Sequence, residues 1–235
     1  MPKKGLSLFV VAHPDDETLF FAGTILQELK RQKNVQVICV TDANADGKGL
    51  RRKREFFKAC KSLGVTDCEM WDFPDIYEQR LDQNALQKRL IPYIKNATHI
   101  FTHGIIGEYG HPHHQDVSYA VSLICKGLKK KLFHCAYNIY PDTRIVLTQK
   151  EFALKQKILI KIYGDETGRF LHLLPSTSIE GIIRVSGTAL FNEITEIFSF
   201  FSKKIYKLKN KNLRRYRSIA KQIQRQKKIL LDRPF

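Results

Sequence analysis

The sequence predicts an α/β fold of three layers, with a mostly parallel sheet between two layers of helices. Short apolar runs alternate with stretches of helical period over the first 140 residues, glycine and polar loops mark each change of period, and residues able to do chemistry follow the apolar runs. With 235 residues, 43% of them hydrophobic, one core suffices for the whole pattern.

Residues 6–12 form an apolar run of strand length, and 18–33 then carry Leu19, Ala22, Ile25, Leu26 and Leu29 at helical spacing. Residues 35–41 read as a second buried strand, followed by a glycine-bearing loop over 42–49 and a helix over 50–63 that Gly64 ends. A short strand is expected at 68–71, a helix at 83–94 with Leu86, Leu90 and Ile94 in phase, and a strand at 98–102. A helix over 117–128 and a strand over 132–137 continue the alternation. Beyond residue 150 the pattern thins: 152–163 looks helical, 164–187 has no clear period, and helical character returns from about 189. In a sheet of this kind, sites lie beyond the carboxyl ends of the strands.

The formal charge of +17 is unevenly spread. Residues 203–235 carry thirteen Lys or Arg against one Asp, a net +12, and the other 202 residues only +5. Phe201, Ile205, Leu208, Tyr216, Ile219, Ile223 and Leu230 recur at three-, four- or seven-residue steps among those charges, so the tail reads as a cationic amphipathic helix. Peripheral contact with an anionic membrane is one expected use. Packing of the apolar stripe on the domain competes evenly with it. Nucleic acid ranks last, since no zinc finger, RNA-recognition or helix-turn-helix signature accompanies the charge. The expected organisation is a domain over 1–189 and a basic amphipathic helical extension over 190–235.

Five cysteines, odd in number and without a C-x-x-C pair, fit neither a disulfide framework nor a thiolate zinc cluster, and point to reducing cytoplasm. Lys3 and Lys4 ahead of an apolar run resemble a secretory leader, but His13, Asp15, Asp16 and Glu17 interrupt it, so a first strand is expected there. No apolar stretch approaches the roughly 20 residues that cross a bilayer. The expected location is cytoplasmic, with peripheral attachment at the inner membrane surface through the tail.

Two segments carry the chemistry. His13 and Asp16 stand three positions apart where a strand turns into a helix, and Pro14 stiffens the turn. An imidazole and a carboxylate suit zinc, a third ligand from elsewhere would leave one position for water, and Asp15 is free to accept that water's proton. An acidic helix start explains Asp15, Asp16 and Glu17 as dipole partners, but not His13 beside them. The second segment holds His111, His113 and His114 within four residues, shaped by Gly107, Gly110 and Pro112, with Asp116 a candidate to orient an imidazole. Alone it is a histidine-rich loop; with His13 and Asp16 it completes a metal site.

These residues resemble the PIG-L/LmbE family of zinc-dependent sugar N-deacetylases. Residues 12–17 reproduce its A-H-P-D-D-E hallmark, Tyr109 through His114 approach its Y/G-H-P-D-H pattern, Arg52 and Glu55 match its R-x-x-E helix, and Thr41-Asp42 falls at its second-strand loop. The resemblance covers about the first 140 residues and implies a Rossmann-like domain. It implies His13, Asp16 and His114 as ligands of one zinc ion, Asp15 as general base, and His111 as the group that stabilises the oxyanion and protonates the leaving amine. The implied substrate is an N-acetylated sugar of N-acetylglucosamine type or a glycoconjugate, including a lipid-linked one. Arg52 and Asp75 are candidate substrate contacts, and Tyr109 a candidate lining residue. His113 departs from the pattern, which has Asp there, and removes a negative charge that favours protonated His111. The competing functions are another metal-dependent amide or ester hydrolase, and a non-catalytic metal-binding scaffold with a cationic membrane-surface tail. His99, His103, His134 and His172 are expected in packing roles.

Overall fold

The chain begins at the middle of its sheet. β1 (Leu6–Val11) is flanked by β2 (Asn34–Thr41) on one side and β4 (His99–Thr102) on the other, both parallel to it. β3 (Asp67–Phe73) extends the sheet beyond β2, and β5 (Lys131–Cys135) beyond β4, again in parallel. β7 (Ile179–Val185) then pairs antiparallel with β5, and β6 (Thr143–Val146) antiparallel with β7, for the order β3-β2-β1-β4-β5-β7-β6. The first five strands have the order of a doubly wound Rossmann-like sheet, which reverses between β1 and β4 and opens a crevice there. This computed structural model describes residues 5–31, 33–76, 79–137, 139–166 and 178–202.

Strand alternation sorts the core into two layers. Leu8 and Val10 of β1, with Ile38 and Val40 of β2, face α3 (Gln83–Asn96), α4 (Pro112–Gly127) and α6 (Thr188–Ser202). Phe9 and Val11, with Val37 and Cys39, face α1 (Asp16–Lys30), α2 (Gly49–Leu63) and α5 (Gln149–Lys161). Leu86, Leu90 and Ile94 recur every fourth residue along α3 and are fully buried. The local signals close these helices: Asp82 accepts from the Asn84 and Ala85 N–H groups at the start of α3, Thr148 and Glu151 form a capping box on α5, and Gly64 ends α2 at φ 84°.

Three expectations change. α4 starts at Pro112 rather than 117, because proline suits a first helical position and His111 caps it, so His113 and His114 sit on a helix and not in a loop. Strand β7 emerges from the stretch without clear period, and β6 stands where no strand was expected. In β7 the apolar pattern is broken by Glu180, whose buried carboxylate accepts from Gly23 N–H at 2.7 Å, Thr24 N–H at 2.8 Å, the Thr24 hydroxyl at 2.7 Å and Lys155 Nζ at 2.9 Å. Lastly, α6 runs across the expected boundary between 189 and 190 and packs into the core through Ile194 and Ile197, with Phe198 stacked on Tyr119 at 3.9 Å. The basic tail, residues 203–235, lies outside the described residues. Among the described residues no helix is long and apolar enough to cross a membrane.

Candidate metal centre

The crevice between β1 and β4 receives side chains from three places. The turn after β1 supplies His13, Asp15 and Asp16, the segment after β4 supplies His103 and Glu108, and the first turn of α4 supplies His113 and His114. Asp15 makes the strand-to-helix turn at φ 102° and ψ −32°, a conformation that costs a side-chain-bearing residue about 1–3 kcal/mol. Within that turn, Asp16 Oδ2 accepts from the His13 N–H at 2.8 Å.

His13, Asp16 and His114 converge. His13 Nδ1 is 3.2 Å from His114 Nε2 and 3.5 Å from Asp16 Oδ2, and His114 Nε2 is 3.4 Å from Asp16 Oδ1. Ligands around zinc at 2.0–2.1 Å stand about 3.3 Å from one another, so this donor set suits one ion, with Asp16 turning a different carboxylate oxygen to each imidazole. Glu108 Oε2 accepts from His114 Nδ1 at 2.6 Å, which leaves the His114 Nε2 lone pair facing the other two groups.

The carboxylates draw positive charge to these rings. Burial works against a charged His13, but hydrogen bonds to Asp16 and Asp75 outweigh it and raise the pKa to about 9. Burial opposes an ionised Asp16 as well, and the His114 and His103 rings more than offset it, holding its pKa below the usual range. His114 is pushed down to about 4, by burial first and then by the neighbouring His103, so it stands neutral as a ligand must.

Asp15 is buried beside the trio, and its carboxylate meets Arg52 Nη2 at 3.1 Å. Burial raises the Asp15 pKa and Arg52 works in the opposite direction. Arg52 also donates to the Pro14 carbonyl at 2.7 Å and pairs with Glu166 at 3.4 Å, so the guanidinium anticipated at the substrate is engaged with the turn that carries Asp15. Asp75 faces His13 Nε2 at 3.5 Å and His113 Nδ1 at 3.4 Å. Tyr109 is half-buried and sets its ring edge-on to His111 and His114, at 6.0 and 5.5 Å.

His111 caps α4 and lies 4.6 Å, ring to ring, from His13 and 4.7 Å from His114. Its Nδ1 accepts from the His113 N–H at 3.3 Å, so the single hydrogen of the neutral ring resides on Nε2. Burial, then His13, His114 and His113, hold its pKa well below the usual value.

One residue was absent from the sequence-based site. His103, expected in packing, stacks on His114 at 3.9 Å, donates from Nδ1 to Glu108 at 3.0 Å and accepts the Ala12 N–H on Nε2 at 2.9 Å. Its position directly after β4 was the available signal. Glu108 is the carboxylate that orients the imidazoles. Burial works to raise its pKa, yet His103 and His114 bring it down to about 2. Asp116, the carboxylate anticipated for that role, accepts from the Leu81 N–H at 2.9 Å and pairs with Arg80 at 3.4 Å.

The family model for PIG-L, described as GlcNAc-PI de-N-acetylase, matches residues 8–125. The N-acetylglucosaminyl-phosphatidylinositol de-N-acetylase of Bos taurus is 28% identical over 181 residues, 65% of this chain and 72% of that protein. A probable enzyme of the same name from Dictyostelium discoideum is 29% identical over 126 residues, 51% of this chain, and the chain spans 49% of its length. Among solved structures, the N,N'-diacetylchitobiose deacetylase of Pyrococcus horikoshii superposes with TM-score 0.60 at 16% identity over 78% of this chain and 84% of that one. A conserved protein of Thermus thermophilus gives TM-score 0.63 at 16% identity over 78% and 97%. At such identities the structures bear on the fold.

Proposed function

Because the chain belongs to the PIG-L family, we propose that it is a zinc-dependent hydrolase that removes the acetyl group from an N-acetylglucosamine-type sugar, carried on a glycoconjugate. The observation that supports this reading most is the convergence of His13 Nδ1, Asp16 and His114 Nε2 at 3.2–3.5 Å. An ion held by those three residues supplies a Lewis acid that polarises the acetamide carbonyl and brings the pKa of a bound water toward about 7.

The remaining steps belong to the chain. Asp15, fixed by Arg52, takes the water proton, while His111 donates its Nε2 hydrogen to the carbonyl oxygen as negative charge builds there. A singly protonated imidazole that gave up this hydrogen would be left as an anion. We therefore assign delivery of a proton to the departing nitrogen to Asp15, which returns the one it collected, and His111 keeps the oxyanion role alone. Water and amide become acetate and a free amino sugar.

A cavity lined by Leu19, Phe20, Tyr137, Arg144 and Ile179 adjoins the centre, for the Phe20 ring lies 6.1 Å from His114 and 5.7 Å from Tyr137. Its apolar walls suit an apolar aglycone, and Arg144, with Glu180 of the same lining already paired to Lys155, suits an anionic group on it. The relatives named for a phosphatidylinositol-linked sugar and the +12 charge of residues 203–235 favour a lipid-linked substrate, met at the cytoplasmic membrane surface. Acetate release from a panel of N-acetylhexosamine conjugates, before and after chelation and zinc return, tests the proposal. No release from any conjugate by the zinc-loaded full chain overturns it.

A further inference from the structure

The steps above use one side of the His13 ring. On the other side, His13 Nε2, Asp75 Oδ1 and His113 Nδ1 stand 3.1 Å (His13 to His113), 3.5 Å (His13 to Asp75) and 3.4 Å (His113 to Asp75) apart. This is again the spacing of about 3.3 Å between ligands of a tetrahedral ion. The His113 side chain is fully buried, and those of His13 and Asp75 are 10% exposed, which leaves a route in from the crevice.

The hydrogen on His113 is fixed from outside the cluster. Its Nε2 lies 3.1 Å from the carbonyl oxygens of Ile76 and Gln79, which can only accept, so Nε2 bears the hydrogen and Nδ1 presents a lone pair. A backbone carbonyl on the far nitrogen is the usual partner of a ligating imidazole. The His113 lone pair thus confronts the Asp75 carboxylate, two buried acceptors with only the hydrogen on His13 Nε2 to share. Acceptors in contact with so little access to water call for positive charge between them.

We propose that His13 Nε2, Asp75 Oδ1 and His113 Nδ1 form a second divalent-cation site, suited to zinc, which shares the His13 ring with the first. The incoming ion replaces the hydrogen on His13 Nε2, which leaves to solvent as one proton per ion, and the His13 imidazolate bridges the two ions. Two divalent charges on one ring repel, so the second ion binds more weakly than the first, by about tenfold or more. It also occupies the Asp75 carboxylate, which the sequence marked as a candidate substrate contact. On the deacetylase reading, with which this last step stands or falls, zinc in excess of one equivalent inhibits turnover.

Calorimetric titration of the metal-stripped full chain with zinc, with bound metal counted by elemental analysis, tests the site apart from activity. The wild type takes up two ions, His113→Ala and Asp75→Asn each take up one, and His114→Ala loses the tighter of the two. The near-isosteric Asp75→Asn carries the test should His113→Ala fail to fold. A single site in the wild type, or a second site that survives both variants, overturns the proposal. Two sites without acetate release on any conjugate overturn the deacetylase reading and leave the second site standing.

Discussion

Arg52 Nη2 meets Asp15 Oδ2 at 3.1 Å, and the same nitrogen donates to the Pro14 carbonyl at 2.7 Å, so one guanidinium fixes both the side chain and the backbone of the turn between β1 and α1. A planar fork suits this double task and an ammonium does not. Arg52→Lys is expected to lower kcat by roughly 10²-fold through a misplaced base, with KM and zinc affinity little changed. Steady-state kinetics beside a zinc competition assay check this. Equal losses in kcat and zinc affinity would place Arg52 in metal retention instead.

Asp15→Asn preserves the shape of the turn and removes the proton acceptor. Turnover should fall roughly 10²–10⁴-fold while bound zinc stays at the wild-type amount. Asp16→Asn and His114→Ala should lose zinc and turnover together. Metal content and acetate release measured on the same preparations separate the two patterns.

Glu108 holds the His114 and His103 rings through a single oxygen, at 2.6 and 3.0 Å. Glu108→Gln leaves neither of those hydrogen bonds with a charged acceptor, and zinc affinity should drop by roughly 10–100-fold. Competition against a chromophoric chelator measures it, and an unchanged affinity would remove Glu108 from the metal centre.

Gly107 adopts φ 69°, and a Cβ there would lie 2.6 Å from the His111 carbonyl oxygen. Gly107→Ala is expected to cost at least about 1 kcal/mol in stability and to displace His111. Thermal melting together with kcat tests both effects. A variant that melts lower but turns over normally would show that the His111 position tolerates the shift.

Residues 203–235 should carry membrane attachment by charge. Liposomes with anionic lipid should sediment the full chain, release it as salt rises, and fail to sediment a chain ending at residue 202. Retention of the shortened chain would move the contact elsewhere.

The central strands and the proximity of His13, Asp16 and His114 were legible because local signals and distant pairing agree there: Leu8 and Val10 alternate with Phe9 and Val11, and the A-H-P-D-D-E residues sit where that strand ends. His103 was not legible, since a lone histidine after a four-residue strand looks the same whether it packs or serves a site. Its partners come from residues 12 and 108, which only the fold assembles. The start of α4 was obscured by histidines that read as a loop, although Pro112 marked it. β7 was hidden by Glu180, a charge that breaks an apolar run in sequence and is satisfied in space by Lys155 and α1.

That Glu180 contact has a consequence for how the molecule matures. The helix bearing Asp16 finds its mid-length support 157 positions downstream, at Gly23 N–H, so a nascent chain has synthesised both metal-holding segments long before the strut that steadies the first of them. Contacts so remote in sequence form late and slowly. A fragment that stops short of residue 178 would contain His13, Asp16 and His114 and still lack the brace on the helix that carries Asp16, which ties the steadiness of that helix to synthesis of β7.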